Sequence, residues 1–395
     1  METQHINLKN LDKSNWQTYR FDQIEKSISE RIDPNNTELE VYIGLEHINA
    51  ESLHIKRFGS RDDVNGQKLR CYPGDVIFGR RRAYQRKAAI ATVDGFCSAH
   101  SLVLRAIPEV IDPKLFPFFL HSDLFMHRAV DISVGSLSPT INWGTLKHQE
   151  FKLPPKEQQA KLAELLWAMD EVVEKESIVL EKIRRAKRCY EKQFLYKYKV
   201  GIEKNLPAGY TVKRLMDIAD ISGGSTPSRG KAEYWGGEIP WLTPTDVTRH
   251  NKICISETKE YITVNGLKNI SNRLYPPGSI LFCSRATIGV AVINEKTMAT
   301  NQGFSNFICN KLVRNYFLYF LLQHLTPELT RLAGGSTFLE ISKSAIRIFK
   351  IVLPDSESME KIEKELWEFT ETIKSIEDKV VNSKFLQKSL INQIF

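Results

Sequence analysis

No continuous apolar run in this 395-residue chain reaches membrane-spanning length, and its opening residues, METQHINLKNLDKSNW, lack the apolar core of a secretion signal. Both absences point to a soluble protein of the cytoplasm. Cysteine is sparse. Cys71, Cys97, Cys189, Cys254, Cys283 and Cys309 lie far apart, without a CxxC pair or a Cys/His cluster at zinc-ligand spacing. That argues against a disulfide framework or a zinc module and suits buried free thiols in a reducing compartment.

Signatures of catalysis are missing too. There is no Asn-Pro-Pro-Tyr-like motif for methyl transfer to an amino group, and no Gly-rich dinucleotide fingerprint. The nearest approach to a phosphate loop, STPSRGKA, has Ser225 where the first glycine belongs and Ala232 where magnesium requires a hydroxyl. Carboxylates show no nuclease-like spacing with lysine. The nine histidines are scattered, and His121 with His127 has neither metal spacing nor a third ligand nearby. The expectation is a chain with no catalytic residue, no metal and no cofactor of its own.

What is present is ordinary globular composition, 42% hydrophobic and 26% charged, in a length that accommodates two or three domains. Lys and Arg number 55 against 47 Asp and Glu, a net charge of +8. The excess favours a polyanionic partner, nucleic acid first.

The chain also repeats itself. GSLSPTINWGTLKHQEFKLP, from Gly135, matches GGSTFLEISKSAIRIFKIVLP, whose second glycine is Gly335. At an offset of 200, Ser136 pairs with Ser336, Ile141 with Ile341, Leu153-Pro154 with Leu353-Pro354 and Leu166-Trp167 with Leu366-Trp367. Upstream, YPGDVIFGRR from Tyr72 resembles YPPGSILFCSR from Tyr275, setting Phe78 against Phe282 and Arg81 against Arg285. Weaker echoes join Arg20-Phe21 to Arg214-Leu215 and Tyr42-Ile43 to Trp241-Leu242. Several matches in one order indicate a duplication, with residues 1–200 as one half and 201–395 as the other.

Each half changes character after its Leu-Pro. Residues 1–153 and 201–353 mix β-branched runs with Gly, Pro and Asn punctuation and read as α/β or α+β heads. Residues 156–193 and 355–395 contain neither Gly nor Pro. In the second run Ile362, Leu366, Phe369, Ile373, Ile376 and Val380 recur at spacings of four and three. The same frame, shifted by 200, catches Leu162, Leu166, Met169, Val173, Leu180 and Ile183. These are heptad seams, and the segments 154–200 and 354–395 are expected to be long helices that pair in an antiparallel coiled coil. The alternative is two amphipathic helices, each packed on its own head. Glu176, Lys187, Ser383 and Gln387 interrupt the seams, as register-fixing polar positions do. Antiparallel pairing would relate the heads by a pseudo-two-fold axis, suited to two separated half-sites on a DNA duplex.

Binding chemistry concentrates in loops. GRRRAYQRK, from Gly79, crowds Arg80, Arg81, Arg82, Arg86 and Lys87 around Tyr84. Five cations in eight residues repel unless an anion meets them, and Arg offers a planar fork to phosphate or guanine. A solvated loop is the bland alternative. SRATIG places Arg285 at the matching position of the second half. There, SGGSTPSRGKAEYWGGEIPWLTPTDVT supplies Ser225, Thr226, Ser228, Arg229 and Lys231 as donors to phosphate. The competing reading of this segment is a structural loop with its tryptophans in a core, the reading favoured for Trp241. Thr243, Thr245 and Asp246 follow as base-edge candidates, although Asp246 equally suits a helix cap. The segments Gly135-Ser136 and Gly334-Gly335-Ser336-Thr337 suit phosphate or base contact and simple turn formation alike.

These residues resemble a known family. GGSTPSRGKAEYWGGEIPWLTPTDV is similar to the opening of a target-recognition domain in type I restriction–modification specificity subunits, and VYIGLEHINAESLHI, from Val41, resembles that segment in another target-recognition class. The order PGxxxF, Arg, NQGF at Asn301–Phe304, Gly-Ser-Thr and LPPKEQQAKL is also typical. LPDSESMEKI departs from it by lacking the glutamine, which leaves the start of the second helix less defined. The resemblance covers essentially the whole chain. It implies two target-recognition domains that read the halves of a bipartite, asymmetric double-stranded DNA site, separated by antiparallel helices that set the spacing. It further implies that the helices dock two methyltransferase (modification) subunits, which carry S-adenosylmethionine and flip the target adenine. Restriction/translocase subunits, with ATP and magnesium, would join them. Two other readings stand beside this one. A self-contained methyltransferase or nuclease would modify or cut DNA alone, and a helical scaffold or decoy would keep its DNA preference when residues 201–353 are exchanged.

Overall fold

The computed structural model describes residues 11, 13–198, 202–250, 252–270, 272–334 and 339–395. It is a mixed α/β fold of two compact units. One comprises Met1–Val179 with Ile376–Phe395, and the other Leu180–Ser375. Their boundaries fall inside the two long helices, so each helix gives part of itself to each unit.

Both Gly- and Pro-free runs fold as single helices of 39 residues, Lys156–Phe194 and Ser356–Ile394, each roughly 58 Å long at 1.5 Å per residue. The first starts behind Pro154-Pro155, where prolines cost no hydrogen bond. The Pro155 carbonyl accepts from the Gln158 and Gln159 amides at 2.9 and 3.3 Å. Buried Gln159 pins this end to its head. Its Nε2 donates to the Val110 and Pro154 carbonyls, both at 2.9 Å, and its Oε1 accepts from the Asp112 amide at 2.6 Å. The second helix lacks that glutamine yet starts cleanly, because Asp355 caps it. Its carboxylate accepts from the Ser358 amide at 2.9 Å and hydroxyl at 3.2 Å, and Met359 is buried where Gln159 stands in the other half.

The helices pack antiparallel. In the first unit Gln387 Nε2 donates to Asp170 Oδ1 at 3.0 Å, and in the second Lys187 Nζ donates to Thr370 Oγ1 at 2.8 Å. Partner numbers fall along one helix as they rise along the other. Leu162, Leu166, Val173, Leu180, Ile362, Leu366 and Val380 are buried, and Met169, Ile183, Phe369, Ile373 and Ile376 are half-buried. Packing on the partner helix and packing on the head are not exclusive. Leu162 and Leu166 lie in the first unit's main core with Ile391 and Ile394, and Ile362 and Leu366 lie in the second unit's with Leu195.

In the first unit, Glu25–Ile28, Ser101–Ala106, Val76–Gly79 and Ala88–Ile90 form a four-stranded antiparallel sheet in that order. Arg31–Ile32, Lys68–Cys71, Gly95–Cys97, Val41–Ile43 and Gly59–Ser60 form a second sheet of five. Phenylalanines fill the main core. Phe21, Phe119, Phe125 and Phe151 meet at centroid distances of 5.2–6.5 Å, a range in which aromatic pairs attract. In the second unit the larger sheet runs Ala219–Gly223, Phe304–Cys309, Ile280–Cys283, Ala291–Asn294 and Cys254–Ile255, and the smaller Glu260–Ile262, Trp235–Leu242 and Ala299–Thr300.

Backbone pairing follows the repeat. Gln17–Arg20 pairs with Glu150–Leu153 and Thr211–Arg214 with Lys350–Leu353, in the same antiparallel register. The weak Tyr42-Ile43 and Trp241-Leu242 echo marks one position. Each dipeptide pairs parallel with a strand, and its second carbonyl accepts from the amide of Ser98 or Asn301 at 3.0 Å. Cys71, Cys97 and Cys283 are buried thiols, whereas Cys189 is exposed on its helix, against expectation.

Candidate nucleic-acid interface

The fully buried strand Val76–Gly79 delivers the chain to the surface at Arg80. Arg82 and Arg86 both adopt left-handed backbone (φ 56° and 51°) around the turn Ala83–Gln85. Ala83 is buried beneath it and Tyr84 is 55% exposed above it. Alongside lies a hairpin closed by the reciprocal Val134–Thr140 amide–carbonyl bonds at 2.9 and 3.0 Å, with Thr140 also bridged to Arg81. The Arg82 amide donates to the Pro139 carbonyl at 2.7 Å, and the Ile141 amide to that of Arg80 at 2.9 Å. The second unit repeats this wiring. Glu340 bridges Arg285 and Gly334, the Ala286 amide donates to Leu339, and the Ile341 amide to Ser284. Ala286 has the left-handed backbone of Arg82, at φ 62°.

The expected cations separate into two groups. Arg81 and Arg82 are exposed, and both guanidinium Nε atoms donate to Ser138 Oγ, at 3.2 and 3.1 Å. Among the described residues neither forms an ion pair. Arg80 is half-buried, with its Nε buried and unpartnered. It lines a cleft of about 380 Å³ with Arg31, Lys68 and Trp143, and no carboxylate lines that cleft. Arg86 and Lys87 turn inward instead. Arg86 pairs with Asp123 at 2.6 Å and Glu51 at 3.4 Å and donates to the His121 carbonyl, while Lys87 Nζ donates to the Leu45 carbonyl at 2.6 Å. Burial is the largest single influence on Asp123 and opposes its charge, but the Arg86 hydrogen bond and charge, with Lys388 and Asn392, together outweigh it and hold the carboxyl below its usual range. These two cations brace the loop from below.

In the second unit Arg285 sits where Arg81 does, 3.6 Å from the Glu340 carboxylate. Ser336 and Thr337 lie outside the described residues, and Ser136 is exposed in the first hairpin. The Ser225 amide and carbonyl are taken by Thr300 O and Trp241 Nε1, and Thr226 Oγ1 donates to Gln302. Trp241 is core, as weighed. Arg229 was expected to face an anion, yet its guanidinium pairs doubly with Glu260 and stacks 3.9 Å over Trp235. That hydrogen bond holds the Glu260 carboxyl low, and the pair is a clamp across the loop. Asp246 takes its capping alternative. It accepts from the Thr243 amide and hydroxyl at 2.9 and 2.6 Å, which also removes Thr243 from the outward set. Lys231 and Thr245 remain exposed. Sequence reasoning missed Ser138, which anchors both arginines, and the exposed Val134 and Leu137 beside it. The run VGSLSPT, from Val134, carries them as a plain turn.

The type I restriction modification DNA specificity domain matches residues 13–185 and, a second time, 207–382. The chain belongs to this family. Its two specificity domains coincide with the two halves of the repeat. The chain is 39% identical to the specificity subunit of the type I restriction enzyme MjaIX of Methanocaldococcus jannaschii over 191 residues, 48% of this chain and 42% of that relative. Against the HindI specificity subunit of Haemophilus influenzae identity is 20%, over 95% of this chain and 96% of the relative. In fold it is similar to the S subunit of a type I system from M. genitalium (TM-score 0.61, 14% identity, 96% of each chain). It is likewise similar to a chain from a structure of complex assembly in the type I R-M system (TM-score 0.60, 19% identity, 96% of this chain and 97% of that one). No helix among the described residues is long and apolar enough to cross a membrane.

Proposed function

We propose that this specificity subunit reads a bipartite, asymmetric double-stranded DNA site in the cytoplasm, one half per head (residues 1–153 and 201–353). The observation that carries the reading is the twice-used wiring around Arg81 and Arg285, which puts one guanidinium beside the Val134–Thr140 bridge and the other beside the Gly334–Glu340 bridge. Arg80, Arg81, Arg82, Arg285, Lys231, Thr245 and Ser136 form the contact set, with Ser336 and Thr337 joining it by repeat position. The helices Lys156–Phe194 and Ser356–Ile394 fix the interval between half-sites and dock two methyltransferase subunits. The exposed apolar side chains Val172, Ile178, Val179, Val381, Phe385 and Leu386 on the helices support the docking. Chemistry then belongs to the partners, with S-adenosylmethionine on the modification subunits and ATP and magnesium on the restriction subunits. The test is to map adenine methylation with the modification partner for this chain and for one whose residues 201–353 come from another specificity subunit. A two-part motif in which only one part changes is the expected result. A contiguous motif, or none, refutes the proposal.

A further inference from the structure

We propose that Leu137 is a specificity-determining residue that reads the C5-methyl group of a thymine in the major groove. This inference rests on the DNA-reading role of the first head. Leu137 is 91% exposed, the highest value among the exposed large hydrophobics of the described residues, and its neighbour Val134 is 68% exposed. Scattered apolar side chains on a surface are unremarkable, but this pair is placed differently. Leu137 stands at the tip of a hairpin whose base is closed by the two Val134–Thr140 bonds and held by Pro139 O and Ser138 Oγ. Gly135, at φ +114°, makes the turn that side chains disfavour and carries Leu137 outward.

What surrounds the tip identifies the occupant. Arg81 and Arg82 are clamped to the same hairpin through Ser138 and are unopposed by carboxylate, and Tyr84 rises beside them. Within the DNA specificity domain to which this hairpin belongs, a duplex meets these cations with phosphate and still offers an apolar feature at its base edges. That feature is the thymine methyl, the one apolar group displayed in the major groove. Because the hairpin is already ordered, seating Leu137 there costs little conformational entropy. In sequence the second half has Thr337 at this repeat position, so the two halves differ there.

The test uses full-length chain, alone and with its modification partner, and duplexes enriched by its own in vitro selection. Each thymine is replaced in turn by deoxyuridine, which removes only the methyl. At one base pair of the first half-site the replacement should weaken wild-type binding about four-fold, the worth of one buried methyl. Leu137→Ala, which keeps the fold because the side chain is exposed, should bind thymine and uracil duplexes alike. It should also keep the wild-type salt dependence, unlike loss of a phosphate contact. If no thymine replacement affects wild type, or one affects both proteins equally, the assignment is overturned. If wild type selects no sequence at all, the underlying DNA-reading role fails instead.

Discussion

Arg81 and Arg86 are five residues apart in one basic run, yet the structure gives them opposite duties, and a paired experiment separates these. Arg81→Ala with Arg82→Ala removes two exposed cations whose guanidinium groups hydrogen-bond to Ser138 Oγ. If both meet phosphates, each accounts for about 0.9 in the slope of log affinity against log salt. A combined slope of about 1.8 over the four-fold interval from about 50 to about 200 mM salt corresponds to roughly a 12-fold difference in how far affinity falls. Stability should hardly change. Arg86→Ala leaves Asp123 without its cation, while Glu51 keeps Lys388 at 2.7 Å; the two side chains are 33% and 49% exposed. Their partial hydration scales the penalty down to about 1–3 kcal/mol, below that of a fully buried broken pair. Its salt slope should stay at the wild-type value. Fluorescence anisotropy on a cognate duplex across a salt series, with urea unfolding of the same proteins, reads both quantities. An unchanged slope in the Arg81/Arg82 variant, or a reduced slope with unchanged stability in Arg86→Ala, refutes the division.

Other expectations concern stability. Burial, with Asp22 adding to it, pushes the Glu25 carboxyl up to about 9, and neither of its oxygens has a partner among the described residues. The unfolded chain ionises near 4.5 while the folded one holds its proton. Stability is therefore lost as pH rises between those values, by about 3 kcal/mol at pH 7. Glu25→Gln should recover most of that at pH 7 and little at pH 4.5, read as urea midpoints, and a pH-independent difference would contradict it. His54 is held above its ordinary value by its hydrogen bond to Asp170, against burial, with Glu174 and Lys56 also facing it. The stabilisation is complete below the unfolded value and fades as pH rises through the folded one. The advantage of wild type over His54→Gln should thus shrink from acidic to alkaline pH. Burial lowers the Lys187 pKa although Glu191 opposes the shift, and its ammonium donates to the neutral Thr370 hydroxyl. Lys187→Met should leave thermal stability equal or higher, and a loss of several degrees would show that the cation matters to the pairing.

The architecture was readable from the residues where a pattern is local. Gly- and Pro-free stretches gave both helices, and the matches around Gly135 and Tyr72 gave the duplication down to shared backbone bonds. Even the Tyr42-Ile43 echo marked a common parallel strand. The basic loop was legible only as charge. Whether Arg86 faces outward depends on Glu51 and Asp123, which are 35 and 37 positions away and meet it only in the fold. Arg229 likewise hides its partner, Glu260, on another strand. Apolar tips evade a reading that expects hydrophobic side chains inside, so Leu137 went unnoticed. Asp355 could cap a helix that lacked its usual glutamine because a first-turn carboxylate needs only nearby amides.

The first unit's core has a consequence for synthesis. Ile391 and Ile394 lie in it, Phe395 packs on Phe119 at 5.3 Å, and Asn392 exchanges two hydrogen bonds with Asp123. A ribosome therefore emits the first head about 200 codons before the residues that complete it. In the meantime that head waits with an open apolar seam, although its own strands are already synthesised. A nascent chain stalled before residue 390 should therefore engage holding chaperones through its oldest part.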